Sequence, residues 1–159
     1  MKDVIIRLMN YDDLPKVMEI EREVFTDPWQ DVMFLQELEA DSAFVLENTV
    51  DKEIIGYICG VKILDEYMIT NIAIKKACQH QGYGKVLLSF LINEMIKEAC
   101  RKCFLEVRAS NRKAIDFYIG YGFEMIGNRK AYYHHPVEDA LVMKLDLWPN
   151  NSLRKKNND

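Results

Sequence analysis

The stretch Asn71-Ile72-Ala73-Ile74-Lys75-Lys76-Ala77-Cys78-Gln79-His80-Gln81-Gly82-Tyr83-Gly84-Lys85-Val86 constrains this chain more than any other, because it joins an apolar strand to an apolar helix through a loop containing two glycines. Such a junction is an anion site: exposed backbone N–H groups and the positive end of the helix dipole attract phosphate, and glycine lets it approach without a side chain in the way. A nucleotide P-loop needs Ser or Thr after its lysine, but Val86 follows Lys85 and the upstream glycine is missing. A dinucleotide loop needs a third glycine where Leu87 stands, although Glu106, at a suitable distance, keeps that reading weakly open.

Periodicity places the neighbouring elements. Val4–Leu8 reads as a strand and 12–25 as a helix, with Leu14, Val17, Met18, Ile20, Val24 and Phe25 near helical spacing. Asp27 suits the N-cap of a second helix with Pro28 at its first position and an inner face of Phe34, Leu35 and Leu38. Strands at 42–47, 54–62 and 67–74 are separated by polar turns and suggest an antiparallel meander. A helix at 84–99, a strand at 103–107, a helix at 111–121 and strands at 123–127 and 140–145 follow, giving the order β-α-α-β-β-β-α-β-α-β-β.

With 159 residues, 49% of them hydrophobic, the chain suits one domain, expected over 1–147. The polar tail 148–159 is read as disordered and solvated; Arg154, Lys155 and Lys156 offer only a minor possibility of RNA contact. A net charge of −4 provides no field for holding nucleic acid, so no direct nucleic-acid binding is expected. No signal peptide or membrane-length apolar run is present, and a cytoplasmic protein without membrane contact is expected. Cys59, Cys78, Cys100 and Cys103 are too few and too irregular for a disulfide framework; the C-x-x-C of Cys100 and Cys103 lacks a second pair or nearby histidine, so no metal is expected.

Gln79-x-x-Gly82-x-Gly84 after the strand Asn71–Ile74 resembles the acetyl-CoA pyrophosphate loop of the GNAT superfamily of N-acetyltransferases. Leu105-Glu106-Val107-Arg108-Ala109-Ser110-Asn111, Ala114-Ile115-x-Phe117-Tyr118 and Tyr121-Gly122-Phe123 closely resemble its RimI branch, which acetylates the N-terminal alanine of a small-subunit ribosomal protein. Phe25-x-x-Pro28-Trp29, Tyr132-Tyr133 and Glu138-Asp139-Ala140 extend the likeness to about Leu147. The resemblance implies an α/β (α+β) GNAT fold: a mixed, largely antiparallel central sheet, splayed at the acetyl-CoA site and flanked by helices. It implies acetyl-CoA as cosubstrate, with Ile72, Ala73 and Ile74 bonding pantetheine and the acetyl group. Gln79, His80, Gln81, Gly82, Tyr83, Gly84 and Lys85 would form the pyrophosphate loop.

Acetyl transfer to an amine needs a base for the ammonium proton, donors for the oxyanion and an acid for the departing thiolate. Glu106, ending an apolar strand, is the candidate base; a surface or ion-paired glutamate is the alternative. By resemblance, Tyr118 is the acid to the coenzyme sulfur and Asn111 a cofactor contact, against the plainer readings of a core aromatic and a helix cap. A backbone N–H at 72–74 would serve the oxyanion. No Ser-His-Asp or Cys-His arrangement is legible and nothing activates Cys78, which leaves direct attack in a ternary complex.

An α-amine with pKa near 8 suits a single carboxylate base better than lysine, whose deprotonation at neutral pH costs roughly 4–5 kcal/mol. The related N-terminal acetyltransferases grip a peptide with residues corresponding to Phe25, Trp29, Tyr132 and Tyr133, so a protein N-terminus is the expected substrate, with a ribosomal protein as the specific case. His134-His135 departs from the common form of that loop, and both are expected to be exposed. A small-molecule amine, a lysine side chain, or non-catalytic acyl-CoA binding are the alternatives.

Overall fold

A computed structural model of the chain describes residues 3–147; the expected tail 148–159 and its possible RNA contact lie outside the described residues. The elements are β1 (Val4–Leu8), α1 (Leu14–Val24), α2 (Asp31–Glu39), β2 (Ala43–Asn48), β3 (Ile54–Ile63), β4 (Glu66–Ile74), α3 (Tyr83–Lys97), β5 (Lys102–Arg108), α4 (Arg112–Tyr121), β6 (Glu124–His134) and β7 (Val137–Asp146). Single 3₁₀ turns precede α1 at Tyr11–Asp13 and follow β4 at Lys76–Cys78. The element order is the expected one. The residues gather in two compact units: one runs up to Val61 and includes Ile69–Leu91, and the other takes Lys62–Met68 and the chain from Ile92 onward.

In the first unit, β1 pairs antiparallel with β2 and β2 with β3, while β4 neighbours β3 after the turn at Leu64 and Asp65. Val17 and Ile20 of α1 and Phe34 and Leu38 of α2 bury their faces in one apolar cluster with Val45, Tyr57 and Ala73. Arg7 bridges the carboxylates of Asp13 (2.7 Å) and Glu47 (2.6 Å), so both acids beneath β1 are paired. Asp13 is consequently held below the usual aspartate range by Arg7, against the opposing effect of its own burial.

Two expectations about the helices are corrected. The first helix is shorter than 12–25, because Asn10 caps a 3₁₀ turn and Pro15 follows at the start of α1. Asp27 and Pro28 do not start the second helix, which begins at Asp31 after Gln30 in an extended conformation (φ −85°, ψ 160°). The cause is a competing bond: the Trp29 N–H goes to the Glu21 carboxylate at 2.9 Å, which holds 25–30 outside both helices.

The final two strands are also longer than expected, and 128–134 is strand rather than loop. In the second unit, β7 pairs antiparallel with β5 on one side and with β6 on the other. Nearly every residue of β6 is exposed, so the strand carries no apolar alternation and its existence rests on backbone pairing with β7. Glycine at 122 follows α4 with φ 125°, a conformation that side chains resist, and its N–H closes the helix end on the Tyr118 and Ile119 carbonyls.

Candidate active site

In the first unit, β4 alternates Asn71 and Ala73 inward with Ile72 and Ile74 half-buried, and then the chain turns through Lys76–Cys78 into the glycine loop. Gln79 folds back: its Nε2 donates to the Ile74 carbonyl at 3.0 Å, tying the loop to the end of the strand. Gln81 Nε2 similarly donates to the Ala77 carbonyl at 3.3 Å. His80 and Gly82 both adopt left-handed φ, 61° and 89°, and a Cβ at Gly82 would meet nothing within 4 Å. Alternating left-handed residues turn successive N–H groups toward one side, an arrangement that binds anions. The loop then enters α3, a 15-residue helix whose dipole adds to that field. His80, Gln81, Gly82 and Lys85 are exposed and Gly84 is half-buried, whereas the Tyr83 side chain is in the core and leaves only its backbone to the loop.

The same unit places Phe25 at the C-cap of α1 and Trp29 four residues later, both half-buried against the apolar cluster. The Trp29 ring lies 5.1 Å from that of Phe34, which meets Tyr57 edge-on at 5.5 Å. A groove of about 490 Å³ in this unit is lined by Lys16, Glu19, Glu23, Lys52, Glu53 and Lys75 among others. It holds none of the expected site residues, and its interleaved charges suit no single ionic ligand.

In the second unit, β5 sends Cys103, Leu105 and Val107 inward, so Glu106 and Arg108 project together from the opposite face. Arg129 on β6 forms an ion pair with Glu106, Nε lying 2.9 Å from Oε1, and the Tyr132 hydroxyl is hydrogen-bonded to the same carboxylate. The Glu106 side chain is 15% exposed and that of Arg129 56%, so the pair has one sheltered and one solvated partner. Bonding to Glu106 raises the Tyr132 pKa above its ordinary value. Arg108 stacks 4.2 Å above the Tyr133 ring and pairs with Glu138 at 3.1 Å.

This arrangement depends on an irregular ladder. Arg129 faces Ala140 and Tyr133 faces Glu138, so Lys130, Ala131 and Tyr132 together oppose Asp139 alone. Ala131 takes φ 50°, and Asp139 accepts its N–H at 2.9 Å and the Asn128 amide at 3.2 Å. A bulge of this kind re-aims side chains. Here Tyr132 reaches Glu106 and Tyr133 lies under Arg108.

Tyr118, on the inner face of α4, is only 7% exposed. Burial first, then Cys103 and Tyr133, raise its pKa well above the ordinary phenol value, so it carries its proton at neutral pH. Asn111 is exposed and caps α4 by accepting the Ala114 N–H at 3.2 Å. The two histidines at 134 and 135 are exposed. All four cysteines are buried free thiols, with burial pushing Cys103 up to about 12, and no metal-holding group of side chains occurs among the described residues.

Of the sequence-expected residues, the second unit brings Glu106 and Tyr132 into direct contact, with Tyr133 next to Tyr132 at 5.2 Å between rings. The first unit carries Phe25, Trp29 and the whole of Ile72–Lys85. Arg129 and Glu21 were not foreseen. Arg129 sits in a segment without periodic pattern, and its approach to Glu106 follows from the pairing register, in which Glu106 and Gly127 both face Val142 and Arg129 lies two residues beyond Gly127. Glu21 did leave a signal: it falls four residues after Val17 and three after Met18, on the inward stripe of α1.

The chain matches the Acetyltransferase (GNAT) family over residues 14–123, more than half its length. A Bacillus subtilis (strain 168) protein with the provisional name ribosomal protein bS18-alanine N-acetyltransferase is 39% identical over 140 residues, 87% of this chain and 92% of that protein. The Salmonella typhimurium ribosomal protein bS18-alanine N-acetyltransferase is 32% identical over 144 residues, covering 89% and 97%. The crystal structure of the Escherichia coli ribosomal-protein-S18-alanine N-acetyltransferase superposes with a TM-score of 0.84 at 31% identity, covering 94% of this chain and 97% of that one. With the glycine loop after β4 standing inside the matched region, these likenesses establish that the chain belongs to the GNAT acetyltransferase family.

Proposed function

We propose that this chain transfers the acetyl group of acetyl-CoA to the N-terminal α-amino group of a protein, with an N-terminal alanine of a ribosomal protein as the acceptor. The observation that carries this reading is the 39% identity, over 92% of its length, to a relative named for that reaction. The cytoplasm, where ribosomal proteins are made, is the proposed compartment; among the described residues no helix is long and apolar enough to cross a membrane. We assign the catalytic domain to 1–147 and treat 148–159 as a polar extension of it.

The loop fits the pyrophosphate of the cosubstrate, since its left-handed His80 and Gly82 expose backbone and the space at Gly82 is open. Acetyl-CoA supplies a thioester whose carbonyl carbon accepts the amine and whose sulfur leaves as thiolate. The Glu106 carboxylate takes one proton of the α-ammonium, freeing the nitrogen lone pair. As the tetrahedral adduct collapses, the C–S bond breaks, the Tyr118 hydroxyl gives its proton to the departing sulfur, and the second proton shed by the nitrogen restores the Tyr118 phenol. Backbone N–H groups at Ile72–Ile74 are the proposed donors to the oxyanion, fixed before reaction and therefore costing no reorganisation. Asn111 holds the start of α4 beside its assigned cofactor contact. Phe25, Trp29, Tyr132 and Tyr133 are assigned to the acceptor peptide, as aromatic bodies with polar tips suit a backbone.

Coenzyme release with acetyl-CoA and peptides beginning Ala-Arg or Met-Leu, or carrying only a lysine behind a blocked N-terminus, tests this reading. Release with the free Ala peptide alone supports it. Release with the blocked lysine peptide would transfer the activity to side chains, and silence with every peptide would leave small amines or simple coenzyme binding.

A further inference from the structure

Glu21 is 1% exposed, among the most deeply buried ionisable side chains described, and none of the steps above uses it. Its carboxylate accepts the Trp29 N–H at 2.9 Å, the Asn71 side-chain amide at 2.9 Å and the Tyr57 hydroxyl. Its backbone carbonyl accepts the Phe25 N–H at 3.0 Å. One residue therefore ties both ends of the segment from Phe25 to Trp29, which belongs to neither helix. The same carboxylate grips Asn71, the residue that leads into Ile72–Ile74 of β4.

Stability alone does not call for an acid here. Replacing buried charged groups with apolar residues of similar volume is often neutral or stabilising, because an ion loses its hydration on burial. The inward stripe of α1 that carries Glu21 is otherwise apolar at Val17, Met18 and Ile20. What a carboxylate does that leucine or methionine cannot is accept a backbone N–H from an irregular segment and a side-chain amide from a strand at once. Pro28 has no N–H to give, so Trp29 offers the first backbone donor beyond it.

We propose that Glu21 is a positioning residue for acceptor recognition: it fixes the 25–30 segment, with Phe25 and Trp29, against the strand that carries Ile72–Ile74. The inference rests on the assignment of that segment to the acceptor peptide. It acts through Trp29 and touches no reacting atom.

The test uses the full chain with Trp148→Phe, which leaves Trp29 as the one remaining tryptophan, and adds Glu21→Gln or Glu21→Met. Thermal midpoints identify folded variants, and Glu21→Gln, which keeps shape and one acceptor oxygen, serves if Glu21→Met does not fold. The expected result is a KM for the Ala peptide raised about tenfold in Glu21→Met, the scale of losing a hydrogen bond to a charged group, and raised by a smaller but measurable factor in Glu21→Gln, whose single oxygen cannot accept from both Trp29 and Asn71, with kcat changed less than about twofold in either. Acrylamide quenching of Trp29 should rise in parallel. Unchanged peptide KM beside an active parent overturns the proposal, as does a fall in kcat alone, which marks a loss of folded enzyme. If the parent acetylates no peptide, the functional reading fails, and quenching then decides the anchor by itself: increased access to Trp29 upholds it and unchanged access overturns it.

Discussion

In the loop between β4 and α3, geometry is a property of the backbone: His80 and Gly82 turn left-handed, and the two glutamine side chains fold inward as braces. In the β6–β7 hairpin it is a property of side chains, where Arg129 and Tyr132 meet on Glu106, Arg108 covers Tyr133, and Glu138 closes on Arg108 and Ser110. A ligand of fixed shape, such as a pyrophosphate, can be met by N–H groups whose positions depend on two or three torsions. An acceptor that must surrender a proton needs a carboxylate whose neighbours set its orientation. The contrast implies that changes in the loop act singly, whereas changes in the hairpin act in combination.

The largest effect belongs to the hairpin region. Glu106→Gln should lower kcat/KM by about 10²–10⁴ in a coenzyme-release assay, with the circular dichroism spectrum retained. Activity within a factor of two of wild type would break the assignment of the base and leave Glu106 as a partner of Arg129 only. Tyr118→Phe should lower kcat by about 10², with little change in either KM, because its buried hydroxyl is assigned to sulfur rather than to binding. A Tyr118→Phe enzyme with normal kcat would return that residue to the core.

In the loop, Gly82→Val meets no steric obstacle but forces a branched side chain to φ 89°. The expected cost is about 1–2 kcal/mol, seen as a roughly tenfold rise in KM for acetyl-CoA and none for peptide. A rise in peptide KM instead would blur the distinction between the two regions. Arg129→Ala and Tyr132→Phe sharpen it from the other side: their combined effect on kcat/KM should depart from the sum of the single effects by at least about 0.5 kcal/mol, as residues sharing one partner do.

The smallest effect is on acid stability. Glu138 is held below the usual glutamate range first by its bond from the Ser110 hydroxyl and then by Arg108, and Asp139 below the aspartate range by the Ala131 N–H and the Asn128 amide. Depressed folded-state values mean that these acids stabilise the hairpin fully above their unfolded pKa, about 4, and lose that contribution as pH falls through the lower folded values. The Ala131 amide resonance should therefore hold its position down to about pH 4 and shift only below it. A shift centred at or above the unfolded pKa would show that the hairpin does not favour the ionised acids.

The loop and the hairpin also differ in how far they could be read from residues alone. Gln79, Gly82 and Gly84 announce a strand-to-helix turn because glycine and helix dipoles are local properties, and the apolar runs around them are long enough to place β4 and α3. Glu106 could be reached by adding an alternating strand, whose period places it opposite Leu105 and Val107. The path of Tyr132 to Glu106 could not, because it depends on three residues facing one across an exposed ladder, and a polar strand leaves no periodic trace. Asp27 and Pro28 misled for a related reason: a good local start signal lost to a bond from the Trp29 N–H back to the buried Glu21, eight residues earlier.

Gly56 on β3 carries no chemistry, yet a Cβ there would come within 2.6 Å of the Ala73 carbonyl and of the Ile74 side chain. In a library containing every substitution at every position and selected for acetyl transfer, position 56 should be depleted about as strongly as position 106. It would be mistaken for a catalytic residue unless soluble protein were scored separately. What selection preserves at that position is the absence of a side chain, which lets the Ala73 carbonyl and the Ile74 side chain of the strand assigned to the cosubstrate lie directly against β3.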